Sequence, residues 1–251
     1  MSGNSEKHGR YAELGEKLRQ NKDSRADRWA QYLLMLLMYL AISALAISNE
    51  AVSAKLGLPI DKPVVMLDAG HGGADPGKVG VNQALEKEIN LAIVLKLKTY
   101  LEANDVTVYL TRETDAGLYE ESDTNKKRTD MNRRCELIER MQPDLVVSIH
   151  QNSYSQESVC GPQIFYYKTS EQGEKLAELL QERLNAMPEC MDQRVAKANG
   201  DYYLLLHVSC PIVIAETGFL SNRQEAQMLV TKSYQDRLAW ELCLGIIEYL
   251  R

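Results

Sequence analysis

None of the five cysteines, Cys135, Cys160, Cys190, Cys210 and Cys243, belongs to a C-x-x-C pair, and their number is odd. That argues against a disulfide framework as the source of stability. Cys135, Cys210 and Cys243 lie among apolar residues and read as small hydrophobes; Cys160 and Cys190 could pair, and the sequence does not decide it. Internal repeats and low-complexity tracts are absent. So is any excess of positive charge. Residues 1–28 contribute +2 to a total of −6, which leaves −8 on residues 49–251. An acidic domain of this kind excludes nucleic acid as a partner, because phosphates reward positive charge. What remains is ordinary: 251 residues, 45% hydrophobic and 25% charged, enough for one or two domains with a real core.

Charge is also absent from one whole segment, Trp29 to Ser48 (WAQYLLMLLMYLAISALAIS), whose twenty residues have the length of a membrane-spanning helix. Arg25 and Arg28 precede it, and excess Lys/Arg marks the cytoplasmic side. The expected organisation is a cytoplasmic segment at 1–28, a signal-anchor at 29–48, a linker at 49–62 and an extracytoplasmic domain at 63–251, giving a single-pass protein of the cytoplasmic membrane. A cleaved secretory signal is the alternative, since Ala44-Leu45-Ala46 has the small-residue look of a cleavage site.

From residue 63 onward, strands and helices alternate. The run 63–68 (PVVMLD) and the runs 106–112, 144–150, 161–168 and 211–218 read as strands, the continuous apolar ones as buried on both faces. The segment 87–104 places Ile89, Ile93, Leu97, Tyr100 and Leu101 on one helical face. A short helix is expected at 133–141, stopped before Pro143. Others are expected at 170–187, opened by a capping box of Thr169 and Gln172, at about 222–230, and at 234–250. The segment 202–208 fits strand or short helix, and 113–132 reads as a mobile polar excursion. This alternation predicts one α/β domain with a mostly parallel twisted sheet flanked by helices.

In such sheets ligands bind beyond the carboxyl ends of the strands. The loop after the first strand, LDAGHGGADPGKVG, contains G-x-x-x-x-G-K, but Val79 follows Lys78 where a phosphate loop needs Ser or Thr. Asp75 and Pro76 also suit a phosphate badly. That leaves His71 to explain. His150 ends a second strand and Glu216 a third, while Glu88 stands in the first turn of the helix after His71. Two His and one carboxylate form a catalytic zinc pattern, and the remaining carboxylate can then act as general base and acid. Each has an ordinary reading: a loop residue, a core histidine, a helix-start acid. Glu216 is the hardest to dismiss, because a carboxylate ending a buried strand needs a partner. Asp68 either ties the loop or orients His71. Arg112 reads as an ion-pair residue and His207 as structural or rim.

The stretches LDAGHGGADPG, EKEINLAIVLKLKTYLE, VYLTRETD, PDLVVSIHQNS and PIVIAETGFLSNRQEAQML, in this order over about 63–250, resemble the zinc-dependent N-acetylmuramoyl-L-alanine amidases (type 3). The resemblance extends to the germination-specific branch that acts on spore cortex. It implies one zinc held by His71, Glu88 and His150, with Glu216 catalytic. The implied reaction is hydrolysis of the amide between the lactyl group of muramic acid and L-alanine, on a peptidoglycan glycan with its stem peptide, so that muramic-δ-lactam can form. Ala69, Glu139 and Leu206 depart from the family pattern, where proline, asparagine and a basic residue are usual. Asn152 and Asn222 stand as substrate-contact or loop-shaping residues. The 65 residues between His150 and Glu216 leave no room for the inhibitory helix of some relatives, so control falls to a regulatory protein partner or to timing. The rival readings are a zinc carboxypeptidase or aminopeptidase and a non-catalytic wall-binding protein.

Overall fold

A strand of mostly apolar residues must be covered on both faces, and Val64–Ala69 (β1) is: all but its first residue are buried. In the computed structural model, which describes Trp29, residues 31–40, Ser43 and residues 62–251, the elements after β1 follow in the expected alternation. They are α1 (Glu86–Glu102), β2 (Thr107–Leu110), α2 (Lys126–Met141), β3 (Leu145–Asn152), β4 (Gln163–Tyr167), α3 (Glu171–Asn185), β5 (Lys197–Asn199), α4 (Tyr203–His207), β6 (Ile212–Phe219), α5 (Arg223–Leu229) and α6 (Lys232–Leu250).

Six strands form one sheet in the order β2-β1-β3-β6-β4-β5. The pairs β1–β2, β1–β3, β3–β6 and β4–β5 are parallel, and β4 runs antiparallel to β6. Alternate residues of β1 feed the two faces. Val65, Leu67 and Ala69 join the larger core with Ile93 and Leu97 of α1, Leu180 of α3 and Leu238 and Leu242 of α6. Met66 joins the smaller core with Ile138 of α2 and Leu204 of α4. The period-2 direction of strand side chains thus assigns each residue of β1 to one helical layer.

Several expectations are corrected. The polar excursion at 113–132 ends in helix: α2 starts at Lys126, where Asn125 Oδ1 accepts from the Arg128 amide at 3.1 Å. It stops at Gln142, which turns left-handed (φ 45°) just before Pro143. Helix α3 is capped by Ser170, whose hydroxyl accepts from the Gly173 amide at 3.0 Å, and not by Thr169. The ambiguous segment 202–208 contains the short helix α4. Strand β5, three residues long and partly exposed, carries too little periodicity to be read in advance. The anchor at 29–48 and the single-pass localisation are also corrected. Residues 31–40 are helical, but among the described residues no helix is long and apolar enough to cross a membrane. Residues 1–28, the rest of the apolar run and the linker 49–61 lie outside the described residues, as does the cleavage-site alternative at 44–46.

One charged pair sits inside the smaller layer. Asp68 and Arg134 are both 1% exposed and paired. Asp68 also accepts from Thr111 Oγ1 at 2.7 Å and from Ser148, its neighbour across the β1–β3 register. Burial alone would raise the Asp68 carboxyl, but Arg134 and the two hydroxyls outweigh it and bring it to about 2. The folded-state value is depressed, so this stability is present above the ordinary value of 3.8 and is lost as pH falls toward about 2. Urea unfolding as a function of pH should therefore show stability declining through that window. Asp68→Asn should lower stability at pH 7 by about 2 kcal/mol, because it removes one of the two carboxylates paired with the buried Arg134 guanidinium and leaves Asp130 as the other. It should also flatten the decline below pH 4.

Candidate metal and catalytic site

The site lies where β1, β3 and β6 end. Beyond β1 the chain makes a tight glycine loop. Gly70 must be glycine because a Cβ there would lie 2.2 Å from Cε1 of the His150 ring. His71 itself is left-handed (φ 64°), a conformation that non-glycine residues adopt at a cost. Two guanidiniums hold it there. Arg134 donates to the carbonyls of Ala69 (2.9 Å) and His71 (2.7 Å). Arg112 donates to those of Ala69 (2.9 Å), Gly70 (3.1 Å), Lys87 (2.8 Å) and Thr114 (3.0 Å). Arg112 is thus a backbone clamp and not the ion-pair residue expected.

Three side chains converge. His71 Nε2 lies 3.2 Å from Glu86 Oε1, and His150 Nδ1 lies 3.0 Å from the same oxygen. All three donor atoms fall within 4.8 Å of one another. The expected ligand Glu88 is not among them. It is exposed, while Glu86 is 2% exposed. The reason is helical phase: two residues at about 100° each place Glu88 on nearly the opposite side of α1 from Glu86. The sequence carried the signal. Glu86 lies three residues before Ile89, on the stripe of Ile89, Ile93, Leu97 and Leu101 that faces the sheet. Other partners of Glu86 fix it. Its Oε2 accepts from the Lys78 amide at 2.7 Å and its Oε1 from the Gln151 amide at 3.1 Å. The Lys78 amide, which a phosphate loop would offer to a nucleotide, is therefore engaged by a carboxylate.

His71 is oriented by Asp75, whose Oδ2 lies 2.9 Å from Nδ1. Asp68, the orienter considered from sequence, serves Arg134 instead. Gly77, left-handed at φ 68°, closes the loop, and a Cβ there would meet Glu86 Oε2 at 2.5 Å and His71 Cδ2 at 2.7 Å. The His71 imidazole is pulled down by burial, but Glu86 and Asp75 outweigh this and raise it. The Glu86 carboxyl, despite burial, is held below its ordinary range by His150 and His71.

These residues fit a divalent cation. A tetrahedral ion with His and carboxylate ligands at about 2.0–2.2 Å sets neighbouring donors roughly 3.3–3.6 Å apart, close to the 3.0 and 3.2 Å found. Two imidazoles with a buried carboxylate between them are the donor set such an ion prefers, and Asp75 supplies the outer carboxylate that steadies a ligating His.

Glu216 pairs with His150 in the β3–β6 register. It is 8% exposed, and its Oε2 is buried without a hydrogen-bond partner among the described residues. Burial pushes its carboxyl up to about 7, with Glu86 adding to the rise and His150 and His71 opposing it. Tyr202, unforeseen from the sequence, adjoins it. Burial and then Glu216 push the Tyr202 phenol up to about 12, so it stays a donor. Asn152 lines the cleft with Glu216. Asn222 does not; it caps α5, accepting from the Glu225 amide at 3.0 Å. His207 stacks on Tyr203 and is no ligand.

A family model described as N-acetylmuramoyl-L-alanine amidase matches residues 65–248, the whole sheet and both sides of this cleft. The chain belongs to that family. It is therefore a peptidoglycan amidase, and the peptidase and binding-only readings are set aside. A germination-specific N-acetylmuramoyl-L-alanine amidase of Bacillus subtilis (strain 168) is 32% identical over 225 residues, 88% of this chain and 94% of that protein. The CwlD amidase from Clostridioides difficile, solved in complex with the GerS lipoprotein, is 38% identical with a TM-score of 0.73, covering 75% of this chain and 98% of that one. The catalytic domain of CwlV from Bacillus (Paenibacillus) polymyxa var. colistinus is 29% identical with a TM-score of 0.66, covering 75% and 98%.

Substitution separates the two glutamates of α1. Glu86→Gln should weaken metal binding by at least the roughly 10–100-fold that loss of even a supporting group costs. Glu88→Gln should leave metal content and activity within about twofold. Chelator competition and elemental analysis of both proteins would decide it, and an Glu88→Gln protein that loses its metal would restore the original assignment.

Proposed function

We propose that this amidase holds one zinc ion through His71, Glu86 and His150 and that Glu216 is its proton-transferring residue. It would act on spore-cortex peptidoglycan and prepare muramic-δ-lactam formation. The observation that carries the catalytic part is the buried, unpartnered Glu216 Oε2 beside a His–Glu–His cluster at the ends of three parallel strands. A bound zinc ion supplies Lewis-acid polarisation and electrostatic stabilisation at the scissile carbonyl.

The chain's own groups do the rest. Asp75 keeps His71 in one orientation. The Lys78 and Gln151 amides keep Glu86 in place through both of its oxygens. Glu216, raised toward neutrality by burial, can take a proton from the attacking water at Oε2 and return it to the departing nitrogen. Water's oxygen bonds to the lactyl carbonyl carbon, the C–N bond breaks, and the products are a lactyl carboxylate and a free L-alanine amine. The Tyr202 phenol, which remains protonated, can donate to the charged form of Glu216.

The cortex assignment is supported by the germination-specific relative and by CwlD. A regulatory protein partner belongs to the same reading, since the CwlD structure contains the GerS lipoprotein.

Two measurements test this. Mass spectrometry of digested cortex should show glycan freed of stem peptide, with new L-alanine amino termini; release of D-alanine or shortened glycan chains would overturn it. Glu216→Gln, which keeps shape but cannot accept water's proton, should retain zinc and lose about 10²–10⁴-fold in turnover. Full activity in that protein would remove Glu216 from the chemistry.

A further inference from the structure

Of the eleven lysines in residues 62–251, five are matched with acids. Lys87 pairs with Asp115 at 2.7 Å, Lys126 with Glu121 at 2.7 Å, Lys62 with Asp105 at 2.9 Å and Lys96 with Asp236 at 3.4 Å. Among the other six, Lys78 and Lys127 stand out by lining the catalytic cleft. Among the described residues, no carboxylate lies within 4.0 Å of the ammonium of Lys78 or Lys127. Both line the same cavity of about 460 Å³ as His71, His150 and Glu216. Lys127 also lines a smaller cavity of about 120 Å³ that opens on the same three groups. Of the acids that share those walls, Asp75 is engaged with His71 at 2.9 Å and Asp130 with Arg134 at 2.7 Å, Asp68 is paired with Arg134, and Glu86 and Glu216 belong to the catalytic cluster. Two lysines without a carboxylate partner, lining the cavity that holds Glu216 in a domain of net negative charge, point to an anionic part of the substrate.

The peptide side of the scissile bond supplies one. After L-alanine, a stem peptide whose second residue is glutamate joined through its γ-carboxyl carries a free α-carboxylate one residue from the reacting amide. Its terminal carboxylate lies further off. We infer that Lys127, with Lys78 on the same cleft, recognises that second-residue carboxylate and makes the enzyme selective for stem peptides in which it is not amidated. Lys127 lies in the first turn of α2, so its backbone is held by a sixteen-residue helix while its exposed side chain lines the cleft. This makes it a specificity residue for the bound peptide, with no part in proton transfer. The inference rests on the amidase reading.

The test uses the full-length chain and N-acetylmuramoyl peptides in matched forms: second-residue carboxylate free or amidated, and terminal carboxylate free or amidated. The native protein should favour the free second-residue acid by about two- to fivefold in kcat/KM, the worth of a partly exposed charge pair. The preference should appear in KM and shrink with added salt. Lys127→Gln should abolish it while leaving hydrolysis of the amidated peptide unchanged, Lys127→Arg should retain it, and Lys78→Gln should reduce it. Sensitivity to the terminal carboxylate alone would overturn the inference, as would equal loss on both peptides or no native preference. A native protein that cleaves none of the peptides would overturn the amidase reading itself, and that outcome is visible before any ratio is taken.

Discussion

Two buried guanidiniums hold the backbone that leaves β1, and the site depends on them. Arg134 from α2 and Arg112 from the end of β2 together bond the carbonyls of Ala69, Gly70 and His71. Those carbonyls accept from the buried guanidiniums, and left without donors they would be costly. Asp68 in turn keeps Arg134 charged and in place. The strained histidine is thus over-determined by an electrostatic network under the sheet end, as strain at functional sites generally is.

The site joins opposite electrostatic environments within a few ångströms. Glu86 is surrounded by donors and held ionised: two imidazoles, two backbone amides and the Asn90 amide group. Glu216, in the same cleft, is buried against Tyr202 with one oxygen unpartnered, and its carboxyl is raised by burial and by Glu86 itself. Two carboxylates pushed apart in this way assume different roles, one as ligand and one as proton carrier. The β3–β6 register makes the arrangement possible by setting His150 directly beside Glu216. The bulge between His150 and Asn152 then turns the end of β3 along the cleft.

The cleft itself is asymmetric. It is lined by the His–Glu–His cluster, by Asn152 at the end of β3 and Ser153 after it, by Lys127 in the first turn of α2 and by Tyr202. Its two lysines have no carboxylate within 4.0 Å among the described residues, while Asp75 and Glu86 are engaged with the histidines. Proton chemistry is thereby confined to the strand ends, and charge recognition falls to α2, a helix whose first turn the polar segment before it conceals.

Sequence alone determined the alternation of elements, the buried character of β1, β3 and β6, and the gathering of His71, His150 and Glu216 toward the carboxyl ends of those strands, although β3 runs on to Asn152 and β6 to Phe219. Each follows from local period and length: apolar runs mark doubly covered strands, and parallel strands all end on one side. The ordered motifs also carried the family likeness. Tertiary structure decided what depends on rotation and on partners distant in the chain. Whether Glu86 or Glu88 faces the histidines depends on helix phase, in which an error of two residues turns a side chain by more than half a circle. Whether Asp68 or Asp75 orients His71 depends on Arg134, which is 66 residues from Asp68 in the chain. Helix α2 was legible only at its apolar end, because Lys126–Arg133 has no buried stripe to reveal it. Asn222, which could have contacted substrate, became a helix cap once the α5 amides needed an acceptor. Local pattern tells which residues are buried or turned, but two-residue choices among like charges are made only by the groups that the fold brings to face them.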